Sequence, residues 1–174
     1  FVFANTSRKI TIEKALEIKK NLRPDIKTVG VFAGQPMEEI IEIMEKADLD
    51  VCQLHSGETN EDCGLINKTV WKSISVKDKK SAEIAESYTN ADGFVLDTFK
   101  KNQWGGTGET FDWSAVKDFS KNHFTILAGG INSANVNDAI EKVSPNIIDL
   151  SSSVEVDGFK NYDKIKEFME SLKY

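Results

Sequence analysis

Short apolar runs alternate with amphipathic segments along the whole of this 174-residue chain. The alternation is typical of βα units, in which each short run is a strand buried between helices and each helix covers the sheet with one apolar face. Seven such units are predicted, without an antiparallel hairpin. Their strands are 1–3, 28–32, 50–54, 69–76, 93–99, 124–130 and 146–153, each followed by a helix.

Seven parallel units are compatible with two architectures, an open doubly wound sheet and a (β/α) barrel. The smallest eight-stranded barrels use about 200 residues, or roughly 25 per unit, so a chain of 174 residues is about one unit short of a barrel. Soluble domains commonly have roughly 100 to 200 residues. We therefore expect a single domain over residues 1–174 that is about one unit short of a barrel.

Composition disfavours several classes of partner and location. The net charge is −6 and the 22 basic residues are scattered, so no positive stripe is available for nucleic acid. No apolar run approaches the roughly 18 residues of a membrane span. Cys52 and Cys63 are too few for a disulfide scaffold, which favours a reducing compartment. We expect a cytoplasmic protein that binds neither nucleic acid nor membrane.

Three segments rich in glycine or serine follow predicted strands: WGGTGETFDW (104–113), LAGGINSANV (127–136) and DLSSSVE (149–155). Ligands bind at the carboxyl ends of parallel strands, and backbone N–H groups at such turns favour phosphate. Each loop taken alone is also explained by a tight or flexible turn. The candidate phosphate-binding residues are Gly106, Gly108, Gly129, Gly130, Ser152 and Ser153.

Four charged or titratable residues also follow predicted strands. Asp97 and Asp149 each end an apolar run, where a carboxyl group serves either as a general acid or as an ordinary helix cap. Side chains alternate between the two faces of a strand, so Gln53 and His55 are expected on the same face. There His55 either points into a pocket or forms a structural hydrogen bond. Arg8 either pairs with a substrate carboxylate through its planar guanidinium group or lies solvated at the surface.

Taken in order, the segments SRKIT, VGVF, QLHSGE, LDT, GGTGETFDW, LAGGINSANV and DLSSSVE resemble phosphoribosylanthranilate isomerase, a cofactor-free enzyme of tryptophan biosynthesis. The resemblance runs from Phe1 to the C-terminus. It implies an α/β fold, the (β/α)8 TIM barrel of the ribulose-phosphate-binding type, with seven units present, the second to the eighth. The domain over residues 1–174 is then expected to be incomplete at its N-terminal end. It also implies an Amadori rearrangement, in which the ribosyl ring opens and the resulting aldimine isomerises to an aminoketose.

The resemblance assigns roles to individual residues. Asp97 corresponds to the general acid, Arg8 to the residue that contacts the anthranilate carboxylate, and Asp149 to a residue that holds a substrate hydroxyl. Gly129, Gly130, Ser152 and Ser153 correspond to the phosphate site, and His55 to a substrate-binding position. The Gly105–Gly108 loop, which contains Gly106 and Gly108, corresponds to a loop that closes near that site. The family's general base is a cysteine in a K-I-C-G motif, which this chain lacks, and neither of its two cysteines aligns with that position. The resemblance therefore implies an isomerase whose general base is missing from this chain as given. Inactivity of the chain alone, self-association and complementation by a first βα segment all stay open.

Three positions depart from the family pattern. His55 is followed by Ser56 in place of glycine, Ser153 replaces a glycine after the paired serines, and Asn161 replaces an aspartate. Two alternatives to the isomerase stay open. One is a catalytically dead phosphosugar-binding protein, and the other is an aminoaldose-phosphate isomerase of the histidine-pathway type, with Asp97 and Asp149 as acid and base.

Overall fold

The computed structural model describes residues 1–98 and 110–173. Within these ranges a six-stranded sheet has its strands in sequence order, and each register that is defined between neighbouring strands is parallel. A separate antiparallel pair lies near the C-terminus. The strands are β1 (Val29–Phe32), β2 (Val51–Leu54), β3 (Thr69–Val76), β4 (Gly93–Thr98), β5 (Thr125–Leu127), β6 (Ile147–Ile148), β7 (Glu155–Val156) and β8 (Phe159–Lys160).

Four of the seven helices in the described ranges begin at a polar residue whose side chain caps them, and the other three have no side-chain cap. Thr11 accepts a hydrogen bond from the backbone N–H of Lys14, and Thr59 forms a reciprocal capping box with Asp62. The helices are α1 (Ile12–Lys19), α2 (Met37–Lys46), α3 (Asn60–Gly64), α4 (Lys79–Ile84), α5 (Lys117–Asn122), α6 (Val136–Val143) and α7 (Tyr162–Ser171). Short 3₁₀ turns cover Ala85–Ser87, Trp113–Val116 and Ser152–Val154.

The predicted fold class, an eight-stranded (β/α) barrel with seven βα units in this chain, is wrong for the residues described. Residues 1–3 form one isolated parallel bridge, between Val2 and Val31, and not a strand. The N–H groups of Phe3 and Ala4 both donate to the same acceptor, the carbonyl of Val31, at 2.9 and 3.2 Å. The segment therefore pairs with β1 at one position only, and the sheet formed by the described residues has six strands.

The second departure lies between β6 and α7, where residues 146–153 were predicted to form one strand. Only Ile147 and Ile148 pair with β5. The chain then makes a 3₁₀ turn and an antiparallel hairpin, β7–β8, whose two connecting residues, Asp157 and Gly158, have φ of 50° and 81°. Positive φ at both positions is what a tight two-residue hairpin turn requires, and Asp-Gly is a preferred sequence for it.

The chain divides into two compact units. The first comprises Phe1–Ser73 and Ser87–Asp92. Its core lies between β1, β2 and helices α1 and α2, and the rings of Phe3 and Phe32 stack within it, with centroids 5.5 Å apart. Its fully buried residues include Phe3, Ala15, Phe32, Ile40, Leu49, Cys52 and Leu54.

The second unit comprises Ile74–Glu86 and Gly93–Tyr174. Phe94 of β4 packs edge-on against Phe119 of α5, at 5.3 Å between ring centroids, and His123 stacks on Phe119 at 4.0 Å. Burial of these aromatic rings against the sheet is a large source of stability. Other buried apolar residues of this unit include Val95, Leu96, Val116, Ile126, Leu127, Val136 and Ala139.

A repeated side-chain clamp joins neighbouring strands at their amino ends. In each clamp, an Asp or Asn just before one strand accepts a hydrogen bond through its side chain from the backbone N–H of a residue near the start of the neighbouring strand. The backbone N–H of the Asp or Asn in turn donates to the carbonyl of that neighbouring residue. The side-chain bonds link Asp50 to Thr28 (2.8 Å), Asp92 to Val70 (2.8 Å) and Asn146 to Thr125 (2.9 Å). The reciprocal backbone bonds measure 3.0, 2.8 and 2.9 Å.

No helix in the described ranges is both long and apolar enough to cross a membrane.

Candidate functional site

Asp97 and Gly129 lie together in the second unit, at the carboxyl ends of the paired strands β4 and β5. The Asp97 carboxylate accepts a hydrogen bond from the N–H of Thr98 at 2.7 Å. A Cβ atom built on Gly129 would lie 2.5 Å from Asp97 Oδ1, 2.5 Å from Thr98 Oγ1 and 2.7 Å from Thr98 N. Because Gly129 also has φ of 78°, glycine is needed here both for its backbone conformation and for the space it leaves beside the carboxylate.

Gly130 continues this turn with φ of 71°. Its carbonyl accepts two side-chain amide bonds, from Asn132 at 3.2 Å and from Asn135 at 3.0 Å. The side chain of Asn135 in turn accepts from the N–H of Asn132 at 2.8 Å. The two asparagines therefore fix the glycine turn that leads into α6.

Asp149, Ser152 and Ser153 follow β6 in the same unit. The N–H of Asp149 donates to the carbonyl of Leu127 at 2.9 Å, which extends the β5–β6 ladder by one residue. Ser152 and Ser153 open the 3₁₀ turn Ser152–Val154. The Ser153 hydroxyl oxygen is buried and has no hydrogen-bond partner among residues 1–98 and 110–173. A serine at this family glycine position therefore does not use its hydroxyl within the described part of the protein.

A second polar group lies in the first unit, on one face of β2 and β3. The Nδ1 atom of His55 lies 2.8 Å from the hydroxyl of Ser73 and 3.5 Å from the amide nitrogen of Gln53. The Gln53 amide is also 3.4 Å from the Ser73 hydroxyl. His55 thus forms a side-chain hydrogen bond that orients its ring, and it shares one face of the strand with Gln53, as alternation predicts.

Behind His55, on the opposite face of β3, lies a buried ion pair. Lys72 and Glu58 have side chains that are 2% and 5% exposed, and Lys72 Nζ lies 2.9 Å from Glu58 Oε2. Lys72 also donates to the carbonyl of Ser56 at 2.6 Å, and Glu58 accepts from the N–H groups of Gly34 at 3.0 Å and Ser56 at 2.8 Å. These contacts of the pair are at the carboxyl ends of β1 and β2.

The pKa of Glu58 lies below its ordinary value. Burial is the largest single influence and raises the pKa. The hydrogen bond from Gly34, then the hydrogen bond and charge of Lys72, then the hydrogen bond from Ser56 lower it, and together they outweigh burial. Glu58 is therefore held as a carboxylate.

Arg8 lies in the loop after the Val2 bridge, with its backbone N–H donating to the hydroxyl of Thr6 at 3.2 Å. The side chain of Arg8 is exposed. The other two candidates, Gly106 and Gly108, lie outside the described residues. Within those residues, no group of three or more His, Cys, Asp or Glu side chains is arranged to hold a metal ion.

Comparison with known proteins decides the family. Residues 1–171 match the model of the family described as N-(5′-phosphoribosyl)anthranilate (PRA) isomerase. The chain belongs to the PRA isomerase family. A PRA isomerase of Thermoanaerobacter sp. (strain X514) is 44% identical over 174 residues, which cover 99% of this chain and 85% of that protein.

Solved PRA isomerases have the same fold. The crystal structure of the enzyme from Thermotoga maritima superposes with a TM-score of 0.90 at 34% identity, covering 98% of this chain and 85% of that one. A PRA isomerase crystallised in complex with reduced 1-(o-carboxyphenylamino)-1-deoxyribulose 5-phosphate gives a TM-score of 0.85 at 33% identity, covering 98% and 84%. This protein is accordingly an aldose–ketose isomerase of tryptophan biosynthesis.

The two cysteines of this PRA isomerase are both buried free thiols. Burial raises the pKa of Cys52 to about 12, assisted by the neighbouring Cys63 and Glu58. Burial likewise raises the pKa of Cys63. A general base must reach substrate and lose its proton near neutral pH, so neither thiol is suited to that role.

Sequence reasoning missed Glu58, Lys72 and Ser73. One signal was present for Lys72, since it takes the buried position in the alternating pattern of β3, between Val70 and Ile74. A lysine at such a position needs a buried partner. The departure at Asn161 has no structural cost, because its side chain caps α7 by accepting from the N–H of Lys164 at 3.1 Å.

Proposed function

We propose that Asp97 is the general acid with which this PRA isomerase rearranges N-(5′-phosphoribosyl)anthranilate to 1-(2-carboxyphenylamino)-1-deoxyribulose 5-phosphate. The observation that supports this role is the fixed position of its carboxylate at the end of β4, held by the Thr98 N–H and faced by a glycine without a side chain. Opening of the ribosyl ring leaves a negative charge on the ring oxygen unless a proton is donated to it. A positioned carboxyl group supplies that proton.

Gly129, Gly130, Ser152 and Ser153 are the proposed phosphate-binding residues of the second unit. The glycines have φ of 78° and 71°, a conformation in which a turn brings its backbone close to a ligand. The loops after the last strands carry such sites in many α/β proteins. Asp149, at the end of β6, is proposed to accept a hydrogen bond from a ribulose hydroxyl.

Arg8 and His55 are the proposed substrate-binding residues of the first unit. Arg8 has the planar cation that recognises a carboxylate through two parallel hydrogen bonds, which suits the anthranilate group. His55 has one ring nitrogen fixed by Ser73. A ring oriented in this way presents its other nitrogen in a defined direction.

We assign no cofactor to this reaction, since ring opening and isomerisation need only proton transfers. We propose a cytoplasmic location, which the two free cysteines support.

The test is to assay the full-length gene product with N-(5′-phosphoribosyl)anthranilate and with the histidine-pathway aminoaldose phosphate side by side. Turnover of the first substrate and a large loss of that turnover in Asp97→Asn are expected. Asp138→Asn is the matched control, because Asp138 is an exposed residue paired with Lys142 on the surface of α6. Preferential turnover of the histidine-pathway substrate, or an Asp97→Asn protein as active as the control, would overturn the proposal.

A further inference from the structure

The buried Glu58–Lys72 pair is not explained by folding alone. Burying two charges can cost more desolvation free energy than their attraction recovers, and replacing a buried ion pair by apolar side chains of similar volume is often neutral or stabilising. Lys72 also lies on the apolar, helix-facing side of β3, where its neighbours in the alternating pattern are Val70 and Ile74. We therefore look for the role of the Lys72 ammonium group in the groups that it contacts.

The contacts of the pair with the backbone all fix the ends of strands and the loops after them. One carboxylate oxygen of Glu58 accepts from Gly34, in the loop after β1, and the other accepts from Ser56, in the loop after β2. Lys72 donates to the carbonyls of Ser56, at 2.6 Å, and Leu54, at 3.5 Å. The peptide groups on both sides of His55 are thus tied from behind.

His55 is held by its backbone within the sheet and by its ring on one face of the sheet. Its N–H donates to the carbonyl of Phe32 at 2.9 Å, and its ring bonds to Ser73 on the face opposite to Lys72. The β2–β3 register pairs Leu54 with Lys72, so the next step along each strand places His55 beside Ser73. Lys72 and Ser73 are therefore adjacent residues, one supporting the backbone of His55 and the other its ring.

We propose that Glu58 and Lys72 are positioning residues for substrate binding, which act by fixing the backbone that carries His55. This inference rests on the proposed role of His55 at the substrate. Glu58→Gln is the informative change, because an amide has one oxygen where the carboxylate uses two. If the amide oxygen of this variant keeps the bond to Gly34, its NH₂ group faces the N–H of Ser56, donor against donor.

The test is a double-mutant cycle of Glu58→Gln and His55→Ala in the full-length gene product, with kcat and KM measured separately on N-(5′-phosphoribosyl)anthranilate. Glu58→Gln is expected to raise KM about 10- to 100-fold with a smaller change in kcat, as for a displaced substrate-positioning group. In the His55→Ala background the same change is expected to have almost no further effect, because both act on one interaction. Glu42→Gln is the matched control, since Glu42 pairs with Lys46 on the exposed face of α2.

The outcomes separate the positioning role from the role of His55. If His55→Ala impairs binding but Glu58→Gln does not, the positioning proposal is wrong and the role of His55 survives. If Glu58→Gln impairs binding and His55→Ala does not, or if their effects multiply, the pair does not act through His55. Should Glu58→Gln fail to fold with Lys72 left unpaired, Glu58→Gln with Lys72→Met removes the unpaired charge, and the same KM increase is expected. An unchanged KM in that folded double variant would refute the proposal.

Discussion

Gly129→Ala is predicted to damage both stability and turnover, because the new methyl group occupies the space beside the proposed general acid. The added Cβ would lie 2.5 Å from Asp97 Oδ1 and from Thr98 Oγ1, whereas ordinary contact begins at 3.4 Å. The carboxylate or the turn must therefore move by about 0.9 Å, the difference between those two distances. That movement also strains the 2.7 Å hydrogen bond from Thr98 to Asp97.

The size of the effect follows from a comparison with Gly158→Ala. Gly129 and Gly158 have nearly the same φ, 78° and 81°, but a Cβ on Gly158 meets nothing within 4 Å. Both substitutions incur the left-handed backbone penalty of about 1–2 kcal/mol. Only Gly129→Ala adds the overpacking cost of about 1–3 kcal/mol. The difference between the two variants therefore reports the steric contact with Asp97 and Thr98.

Urea unfolding measures the loss of stability, and steady-state kinetics of the full-length gene product on N-(5′-phosphoribosyl)anthranilate measure the loss of turnover. We expect Gly129→Ala to be less stable than Gly158→Ala by about 1–3 kcal/mol. We also expect its kcat/KM to be lower by roughly 100-fold, as for a catalytic group displaced by about 1 Å. Equal kcat/KM values in the two folded variants would refute the claim that the glycine holds Asp97 in place.

Three further sets of substitutions test the side-chain clamp at Asp50, the buried hydroxyl of Thr125 and the proposed contact of Arg8 with the substrate carboxylate. The hydrogen bond from the Thr28 N–H is the main cause that lowers the pKa of Asp50, against an opposing effect of burial. Because the folded pKa lies below the unfolded value of about 3.9, the stabilisation is complete above that pH and is lost as pH falls through the folded pKa. The stability difference between the wild type and Asp50→Asn should therefore shrink on acidification, and a pH-independent difference would contradict this. Thr125 is fully buried and its hydroxyl has no hydrogen-bond partner in the described part of the chain. Thr125→Val should raise stability by about 1 kcal/mol and Tm by about 2–4 °C, measured by calorimetry, and a lower Tm would count against that interpretation. Arg8→Ala should raise KM by about 10- to 100-fold with little change in kcat, and Arg8→Lys by less. A KM unaffected by both substitutions would exclude Arg8 from carboxylate binding.

The strands of the sheet were largely predictable from the sequence, because apolar runs with β-branched residues are bounded by polar turns. The core strands β1 to β5 lie within the predicted runs. The predicted strand at residues 1–3 is wrong because a run of three apolar residues is too short to show whether pairing continues beyond one bridge. The β7–β8 hairpin was predictable in principle, because Asp157-Gly158 between Val156 and Phe159 is a hairpin signal.

The sequence indicated which candidate site residues lie at the ends of strands. It did not indicate which side chains and backbone groups on neighbouring strands contact them. Asp97 and Gly129 are 32 positions apart, and their contact follows from the β4–β5 register, which pairs Leu96 with Leu127. The bond between His55 and Ser73 likewise depends on the β2–β3 register. Periodicity places a side chain on a face, whereas register decides its neighbour on the next strand.

The most direct test of the central claim compares kcat of Asp97→Asn with kcat of Asp149→Asn. Both are measured in the full-length gene product on N-(5′-phosphoribosyl)anthranilate, with both variants shown to be folded. General acid catalysis by a positioned side chain contributes about 10²- to 10⁴-fold. We predict that Asp97→Asn loses kcat within that range with KM little changed, and that Asp149→Asn chiefly raises KM. An Asp97→Asn protein with kcat within a few fold of the wild type would contradict the account.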